Sequence, residues 1–166
     1  MTARKVAIVT GANRGIGLEI ACQLARLGFA TVIAARDAEK GRAAAAALGT
    51  DGLDIEAVTI DVDDGGSVEK GIADVVSRLG RVDVLVNNAG VLLDGPEANS
   101  ASVLDVPVER MLASFRTNTV GALLTMQQVL PVMRKNGYGR IVNISSRAGQ
   151  LEELRRGFPS YRISKT

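Results

Sequence analysis

The stretch Lys5-Val6-Ala7-Ile8-Val9-Thr10-Gly11-Ala12-Asn13-Arg14-Gly15-Ile16-Gly17-Leu18-Glu19-Ile20 decides the fold. Lys5 to Thr10 is a short, β-branched apolar run halted by Gly11. From Gly15 the pattern changes period: Ile16, Ile20, Leu24 and Leu27 recur at helical spacing until Gly28 ends the segment. A strand followed at once by a helix is the first half of a βαβ unit. Working outward, the alternation continues. Ala30 to Ala35 reads as a second strand, and a helix opens near Asp37, runs through the alanines 43 to 47 and ends at Gly49. Glu56 to Ile60 is a third strand that delivers Asp61 at its end, Ser67 to Leu79 a helix closed by Gly80, and Val82 to Val86 a fourth strand.

Beyond it lies a loop rich in Gly, Pro, Asn and Ser, from Asp94 to Ser102. A long helix starts near Pro107, which the first turn tolerates because its amides are unpaired there. Met111, Phe115, Asn118, Ala122, Thr125 and Val129 are expected along one of its faces. Arg140 to Ser145 is a fifth strand, and a charged loop then leads to Tyr161. Strands separated by helical crossovers pair in parallel, because a right-handed crossover returns the chain in the same direction. The expectation is a doubly wound α/β sheet of order 3-2-1-4-5 in a single domain over residues 1–166. Ligands of such sheets bind at the carboxyl ends of the strands.

Composition removes several classes of function. The 166 residues are 46% hydrophobic and 23% charged, with a formal charge of +2, no Trp, two Tyr and three Phe, so there is little charge or aromatic surface for nucleic acid. Met1-Thr2-Ala3 leads straight into the first strand without a signal-peptide pattern, and no run approaches the ~18 apolar residues of a membrane helix. The single cysteine, Cys22, makes no internal disulfide, and a reducing cytoplasm is the expected location. No histidine is present, which excludes Ser-His-Asp and Cys-His hydrolases and HExxH metalloenzymes. No metal site is expected. The acidic run from Asp61 lacks the Gly and Glu positions of an EF-hand, with Ile72 where the bidentate Glu would stand. Acid and base work falls to Tyr, Lys, Asp or Glu.

The turn Thr10-Gly11-Ala12-Asn13-Arg14-Gly15-Ile16-Gly17 is a variant of the GxGxxG fingerprint. Glycines let the backbone turn sharply and approach a pyrophosphate, and the helix N-terminus offers free amides and partial positive charge. A plain tight turn is the bland alternative; the strand before and the helix after favour a nucleotide. No Gly-Lys-Ser/Thr follows, so the loop is not a Walker A motif.

Together with Asp61-Val62, Asn87-Asn88-Ala89-Gly90, Asn118, Ser146 and Tyr161-x-x-x-Lys165, all in order, this turn makes the sequence resemble the classical short-chain dehydrogenase/reductase family. Ala34-Ala35-Arg36-Asp37 makes it similar to the carbonyl-reductase-like branch; the extended, epimerase-type branch differs in glycine spacing. The resemblance implies a cofactor site of Thr10, Gly11, Asn13, Arg14, Gly15, Ile16, Gly17, Arg36, Asp61, Val62, Asn88, Ala89, Gly90, Tyr161 and Lys165. By the same resemblance Asp61 binds the adenine amino group with Val62 beside it, and Ala89 and Gly90 let ribose and nicotinamide approach. The alternatives are a helix cap for Asp61 and an ordinary asparagine turn for residues 87–90. Asn118 is a polar residue in an apolar helix and needs a partner, which a structural hydrogen bond would supply. The family places this residue at a helix irregularity whose carbonyl holds a water in a relay to the lysine.

Tyr161 and Lys165, four residues apart, share a face if that segment is helical. A free tyrosine has a pKa of about 10, and bringing one near neutrality takes about 4 kcal/mol of interaction, which a close ammonium and a cationic nicotinamide would supply. A solvated helix face is the alternative. The resemblance makes Asn118, Ser146, Tyr161 and Lys165 the catalytic set, with Ser145 next in line for the role of Ser146. It implies hydride transfer between NADP(H) and a carbonyl or alcohol, and a family-like homo-oligomer if the chain is complete. An acidic residue normally ends the second strand of an NAD site; here Ala35 stands there, and Arg36 and Arg14 favour a 2′-phosphate, so NADP(H) is expected over NAD(H), with Asp37 keeping NAD open.

Two departures qualify this picture. Ser146 and Tyr161 are fifteen residues apart, and the interval holds Glu152, Glu153, Arg155 and Arg156 among Leu151, Leu154 and Phe158, either a substrate lid or a solvated loop. The sequence ends one residue after Lys165, whereas family members continue. A domain incomplete at its C-terminus is therefore expected, with the fifth strand at an open edge, abnormal association, weak NADPH binding and no useful carbonyl reduction. The competing class of function is a non-catalytic nucleotide-binding module.

Overall fold

The computed structural model describes residues 4–50, 52–95, 102–153 and 157–166. The N-terminal Met1-Thr2-Ala3, most of the Asp94–Ser102 loop, and Leu154, Arg155 and Arg156 lie outside the described residues. Five strands, β1 (Val6–Thr10), β2 (Ala30–Ala35), β3 (Ile55–Thr59), β4 (Val84–Asn87) and β5 (Arg140–Asn143), form one sheet in the order 3-2-1-4-5, every neighbouring pair parallel. The helices are α1 (Gly15–Arg26), α2 (Ala38–Gly49), α3 (Gly65–Leu79), α4 (Val108–Phe115), α5 (Gly121–Lys135) and α6 (Pro159–Lys165). This is the doubly wound α/β architecture expected from the alternating periods.

The strand alternation divides the core into two layers. Val6, Ile8, Val32, Ala34 and Leu85 face Val68, Ile72 and Val75 of α3 and Val129 and Met133 of α5. Ala7, Val9, Ile33, Val84 and Val86 face the other way, with Ala21 of α1 and Ala45 of α2. Gly71 of α3 has no room for a side chain, because a Cβ there would run into Ile60. Helix ends follow local chemistry. Asp37 accepts from the amides of Glu39 and Lys40 to start α2, Asp64 accepts from Gly66 N to start α3, and Gly80 ends α3 with φ of 74°. β5 lies at the edge of the sheet, and Val142 is 45% exposed.

The long helix departs from expectation. Residues Arg116–Val120 form a π-turn between α4 and α5. The extra residue shifts the helical phase, so the buried positions run Ser114, Asn118, Gly121, Thr125, Val129 and Met133, and Phe115 turns outward at 42% exposure. An undistorted helix would have placed Phe115 on the face of Asn118. Gly121, directly after the turn, brings the helix against Val62: a Cβ there would lie 2.9 Å from the Val62 Cβ.

At the opposite end of the sheet, Asp83 joins three strands. Its fully buried carboxylate accepts from Val6 N at 2.8 Å and from Arg81 Nε at 2.7 Å and Nη2 at 2.6 Å, while its backbone pairs with Val6 O and Arg140 N. Burial works to raise the carboxyl pKa. The hydrogen bond from Arg81, the Val6 amide and the charges of Arg81 and Lys5 outweigh that and hold it below its ordinary value of 3.8. A depressed carboxyl stabilises the fold fully above 3.8 and ceases to do so as pH falls through its lower folded value. Asp83→Ala is expected to remove about 3 kcal/mol, read as a lower urea midpoint at neutral pH. Asp83→Asn should flatten the loss of stability on acidification; an acid response equal to the wild type would show that Asp83 does not carry it.

Candidate active site

A cavity of about 410 Å³ opens at the carboxyl ends of the strands. The turn between β1 and α1 forms one wall through Gly11 and residues 13–17; Arg36 stands at the end of β2, Asp61 and Val62 follow β3, and Asn88, Ala89 and Gly90 follow β4. Sixteen residues line it, and all but three of the expected cofactor positions are among them. The exceptions are Thr10, Tyr161 and Lys165. Thr10 is 1% exposed and lies beneath the wall, its hydroxyl accepting from the amides of Asn88 at 3.1 Å and Ala89 at 3.0 Å. Asn88 answers with its side-chain amide, donating to Thr10 O at 2.9 Å and Gly11 O at 3.3 Å. These bonds tie the loop after β4 to the loop after β1.

Glycine is required here by both conformation and space. Gly11 has φ of 62°, and a Cβ on it would lie 2.9 Å from Ala89 Cα; one on Gly17 would run into the Asn88 amide. The helix behind this turn also differs from its neighbours. Arg14 occupies the N-cap of α1 without a side-chain capping bond, whereas α2 and α3 are capped by aspartates. The first amides of α1 thus keep their capacity to bind an anion. Arg14 and Arg36 also line an adjoining groove with Asp37 and Lys40, which pair with each other at 3.1 Å. The Asp37 carboxyl sits below its ordinary value because the Lys40 amide and ammonium hydrogen-bond to it.

Asp61 both lines the cavity and organises the turn behind it, accepting from Asp63 N at 3.1 Å through Oδ1 while its amide donates to Ser67 Oγ. Ile60, Asp63, Val91 and Thr117 complete the lining and were not singled out from the sequence. Asp63 is fixed from the π-turn: Arg116 donates to its carbonyl and Thr117 Oγ1 to its Oδ2. Its Oδ1 is buried without a partner among the described residues. Only the three-dimensional phase of the π-turn reveals these neighbours.

At the far end, Asn118 closes the loop after Gly90. Its Oδ1 accepts from Val91 N at 2.7 Å, and its Nδ2 donates to Val91 O at 2.9 Å and Ser164 Oγ at 2.8 Å. The side chain therefore has the structural partners its burial demands, and it also sits in a helix irregularity. Lys165 Nζ donates to Ile144 O at 2.8 Å and packs against Gly90, where a Cβ would stand 3.4 Å away. Burial pushes the Lys165 ammonium below the usual lysine value. A second cavity of about 20 Å³ lies among Thr10, Asn87, Asn118, Asn143 and Lys165, room for about one water. Tyr161 is half-buried, and it shares with Lys165 the helix on which the four-residue spacing would put them on one face.

Ser146 is half-buried and caps the short turn Arg147–Gly149, accepting from Ala148 N at 3.2 Å. Ser145 is exposed and donates to Lys165 O at 3.1 Å. Arg162 donates to Gly157 O and Ala148 O, drawing the Ser146 turn to α6. In the interval before α6, Leu151 is 70% exposed. Among the described residues no acidic, Cys or His cluster could hold a metal ion, and no helix is long and apolar enough to cross a membrane.

Known proteins similar to this chain share its family and fold. The family model for short chain dehydrogenase matches residues 5–166. A 3-oxoacyl-[acyl-carrier-protein] reductase of Bos taurus is 37% identical over 145 residues, which is 87% of this chain and 57% of that protein. Short-chain dehydrogenase/reductase 1 of Saponaria officinalis is 33% identical, over 91% of this chain and 56% of its own. A variant of the actinorhodin polyketide ketoreductase, crystallised with NADPH, superposes with a TM-score of 0.87 at 36% identity, covering 98% of this chain and 60% of that one. A gluconate 5-dehydrogenase from Burkholderia cenocepacia, in complex with NADP and tartrate, gives a TM-score of 0.87 at 32% identity over 97% of this chain and 60% of its own. The chain spans about half the length of the curated relatives it matches. With its fold and its glycine turn, Asn-Asn-Ala-Gly segment and Tyr-x-x-x-Lys motif all in order, this chain belongs to the short-chain dehydrogenase family.

Proposed function

We propose that this chain carries the NADP(H) site and the reaction centre of a reductase that interconverts a carbonyl and an alcohol. The observation that carries the reading is the single cavity with the uncapped α1 N-terminus and its glycines at one end, Arg14 and Arg36 at a corner, and Gly90 backed by Lys165 at the other. The residues fit a dinucleotide: the glycine turn leaves backbone exposed where a Cβ would collide, and the free amides suit a pyrophosphate. Ketoreductase relatives, and the neighbours crystallised with NADPH or NADP, support the same choice.

In this reading Gly11 to Gly17 would hold the phosphates, Arg14 and Arg36 the 2′-phosphate, and Asp61 and Val62 the adenine. Bound NADPH supplies the hydride. Ser146 and Tyr161 hydrogen-bond the substrate oxygen, and Tyr161 gives it the proton in reduction or takes it in oxidation. Lys165 places positive charge on the Tyr161 face of α6 and favours the phenolate as the proton leaves. Asn118 holds the loop after β4 and the Lys165 helix at a fixed separation, and the small cavity beside it accommodates a water for proton exchange.

Titration with NADPH alongside reduction of simple ketones and aldehydes tests the proposal. Binding together with turnover supports it, while binding without turnover supports a nucleotide-binding module. In an active form of the protein, Tyr161→Phe is expected to lower turnover at least about 100-fold with cofactor affinity nearly unchanged; near-normal activity would remove Tyr161 from the mechanism. Arg36→Ala should weaken NADPH at least about tenfold and leave NADH little changed. A preference for NADH in the parent chain, unaltered by this substitution, would overturn the assignment of the 2′-phosphate corner.

A further inference from the structure

The Tyr161 helix begins with a problem that its own sequence does not solve. Its N-cap position is Phe158, held at φ of 54° and ψ of 44°, with no side-chain oxygen to offer. Pro159, at the first helical position, has no amide hydrogen, so the first donors in need of an acceptor are the amides of Ser160 and Tyr161. Both are answered from 66 and 67 residues upstream. Asp94 is 3% exposed; its Oδ1 accepts from Ser160 N at 3.0 Å and Ser160 Oγ at 2.7 Å, and its Oδ2 accepts from Tyr161 N at 3.0 Å. Arg110 of α4 donates to the Asp94 carbonyl at 3.4 Å.

Asp94 sits four residues beyond Gly90, at the end of the segment whose start lines the cavity. Its three bonds therefore set the beginning of α6 against the loop after β4. The remaining contacts act on the same helix face: Ser114 Oγ donates to Ser160 Oγ at 3.2 Å, and Asn118 Nδ2 to Ser164 Oγ. Ser160 and Ser164 are 0% and 5% exposed and point inward, so the neighbouring pair, Tyr161 and Lys165, is turned to one side of that buried edge. A carboxylate at a helix N-terminus is also favoured by the partial charge there.

We propose that Asp94 is a positioning residue for the reaction: acting as a remote cap, it fixes the start and rotation of α6 and so the placement of the Tyr161 phenol relative to the cofactor cavity. The inference rests on the reading of Tyr161 as proton donor. Asp94→Ala removes both acceptors, and Asp94→Asn keeps one oxygen while turning an amide toward a second donor. Turnover per bound NADPH, NADPH stoichiometry, and amide hydrogen exchange across residues 158–166 are measured on the parent chain and both variants.

The expected result is exchange at Ser160 to Lys165 faster by at least about tenfold in Asp94→Ala, with β1 unchanged, and a similar fall in turnover per bound NADPH at full stoichiometry. Asp94→Asn should lie between. Wild-type turnover per site in Asp94→Ala, or stoichiometry and activity falling by one common factor in both variants, would overturn the proposal, since the second pattern is simple loss of folded protein. If the parent chain binds NADPH without turnover, the reading of this chain as a working reductase falls while exchange still judges the cap. Acceleration confined to α6 then upholds Asp94 as its anchor, and unchanged exchange overturns it.

Discussion

The Asn118 amide holds three partners from two segments at once: both backbone groups of Val91, and the Ser164 hydroxyl of α6. An amide buried to 8% exposure must have its hydrogen bonds, and these are mutually exclusive with any other placement of the two segments. The π-turn is what makes the geometry available. By inserting one residue between α4 and α5 it presents Asn118 and Ser114 to α6 together, while Thr117 and Arg116 reach back to Asp63. One local distortion of a helix thereby registers the loop after β3, the loop after β4 and the last helix against one another.

The other end of the cavity is built on the same logic with smaller parts. Thr10 and Asn88 exchange hydrogen bonds across the ends of β1 and β4, so the glycine turn and the Asn-Asn-Ala-Gly segment move as one piece. Behind them Asn87 donates to Asn143 and accepts from Thr125, carrying the connection on to β5 and α5. The small residues of this segment have two reasons to be small. The family resemblance implies room for a ribose and nicotinamide, and the structure adds that a Cβ at Gly90 would stand 3.1 Å from Asn118 Oδ1, so that the amide would have to give way slightly. Packing inside the protein thus also favours a small residue there.

The parts legible in the sequence are those set by short-range pattern. Period and punctuation gave every strand of the sheet to within two residues, the crossover argument gave their parallel pairing, and the doubly wound class gave their order. Of the cavity wall, pattern gave the glycine turn and the location at the strand ends, while Arg36, Asp61 and Asn88 to Gly90 were implied by the family resemblance and follow strand ends as well. What was not legible depends on distant partners. Phe115 belongs with Asn118 on an ideal helix, and only the π-turn separates them. Asp94 stands before Gly95 and Pro96 and reads as a turn former, because nothing local reveals two amides waiting in α6. A signal was nonetheless present: Ser160 and Ser164 repeat the spacing of Tyr161 and Lys165 one residue earlier, marking a small polar stripe suited to burial against another helix.

Lys165 shows how burial and partnership combine at the proposed reaction centre. Desolvation alone lowers the ammonium's pKa, and its bond to the Ile144 carbonyl at the end of β5 supplies a neutral acceptor but no counter-charge. Half-buried beside Gly90, this cation is paired with no carboxylate among the described residues. In the proposed mechanism a phenolate brought beside it would be stabilised more than by a fully solvated lysine, because water screens a partly buried pair less effectively. The benefit requires that the helix not relax toward solvent. The inward serines, the Asn118 clamp and the carboxylate at the start of α6 oppose that relaxation, so the electrostatics of the site are secured by hydrogen bonds made on the opposite side of the same helix.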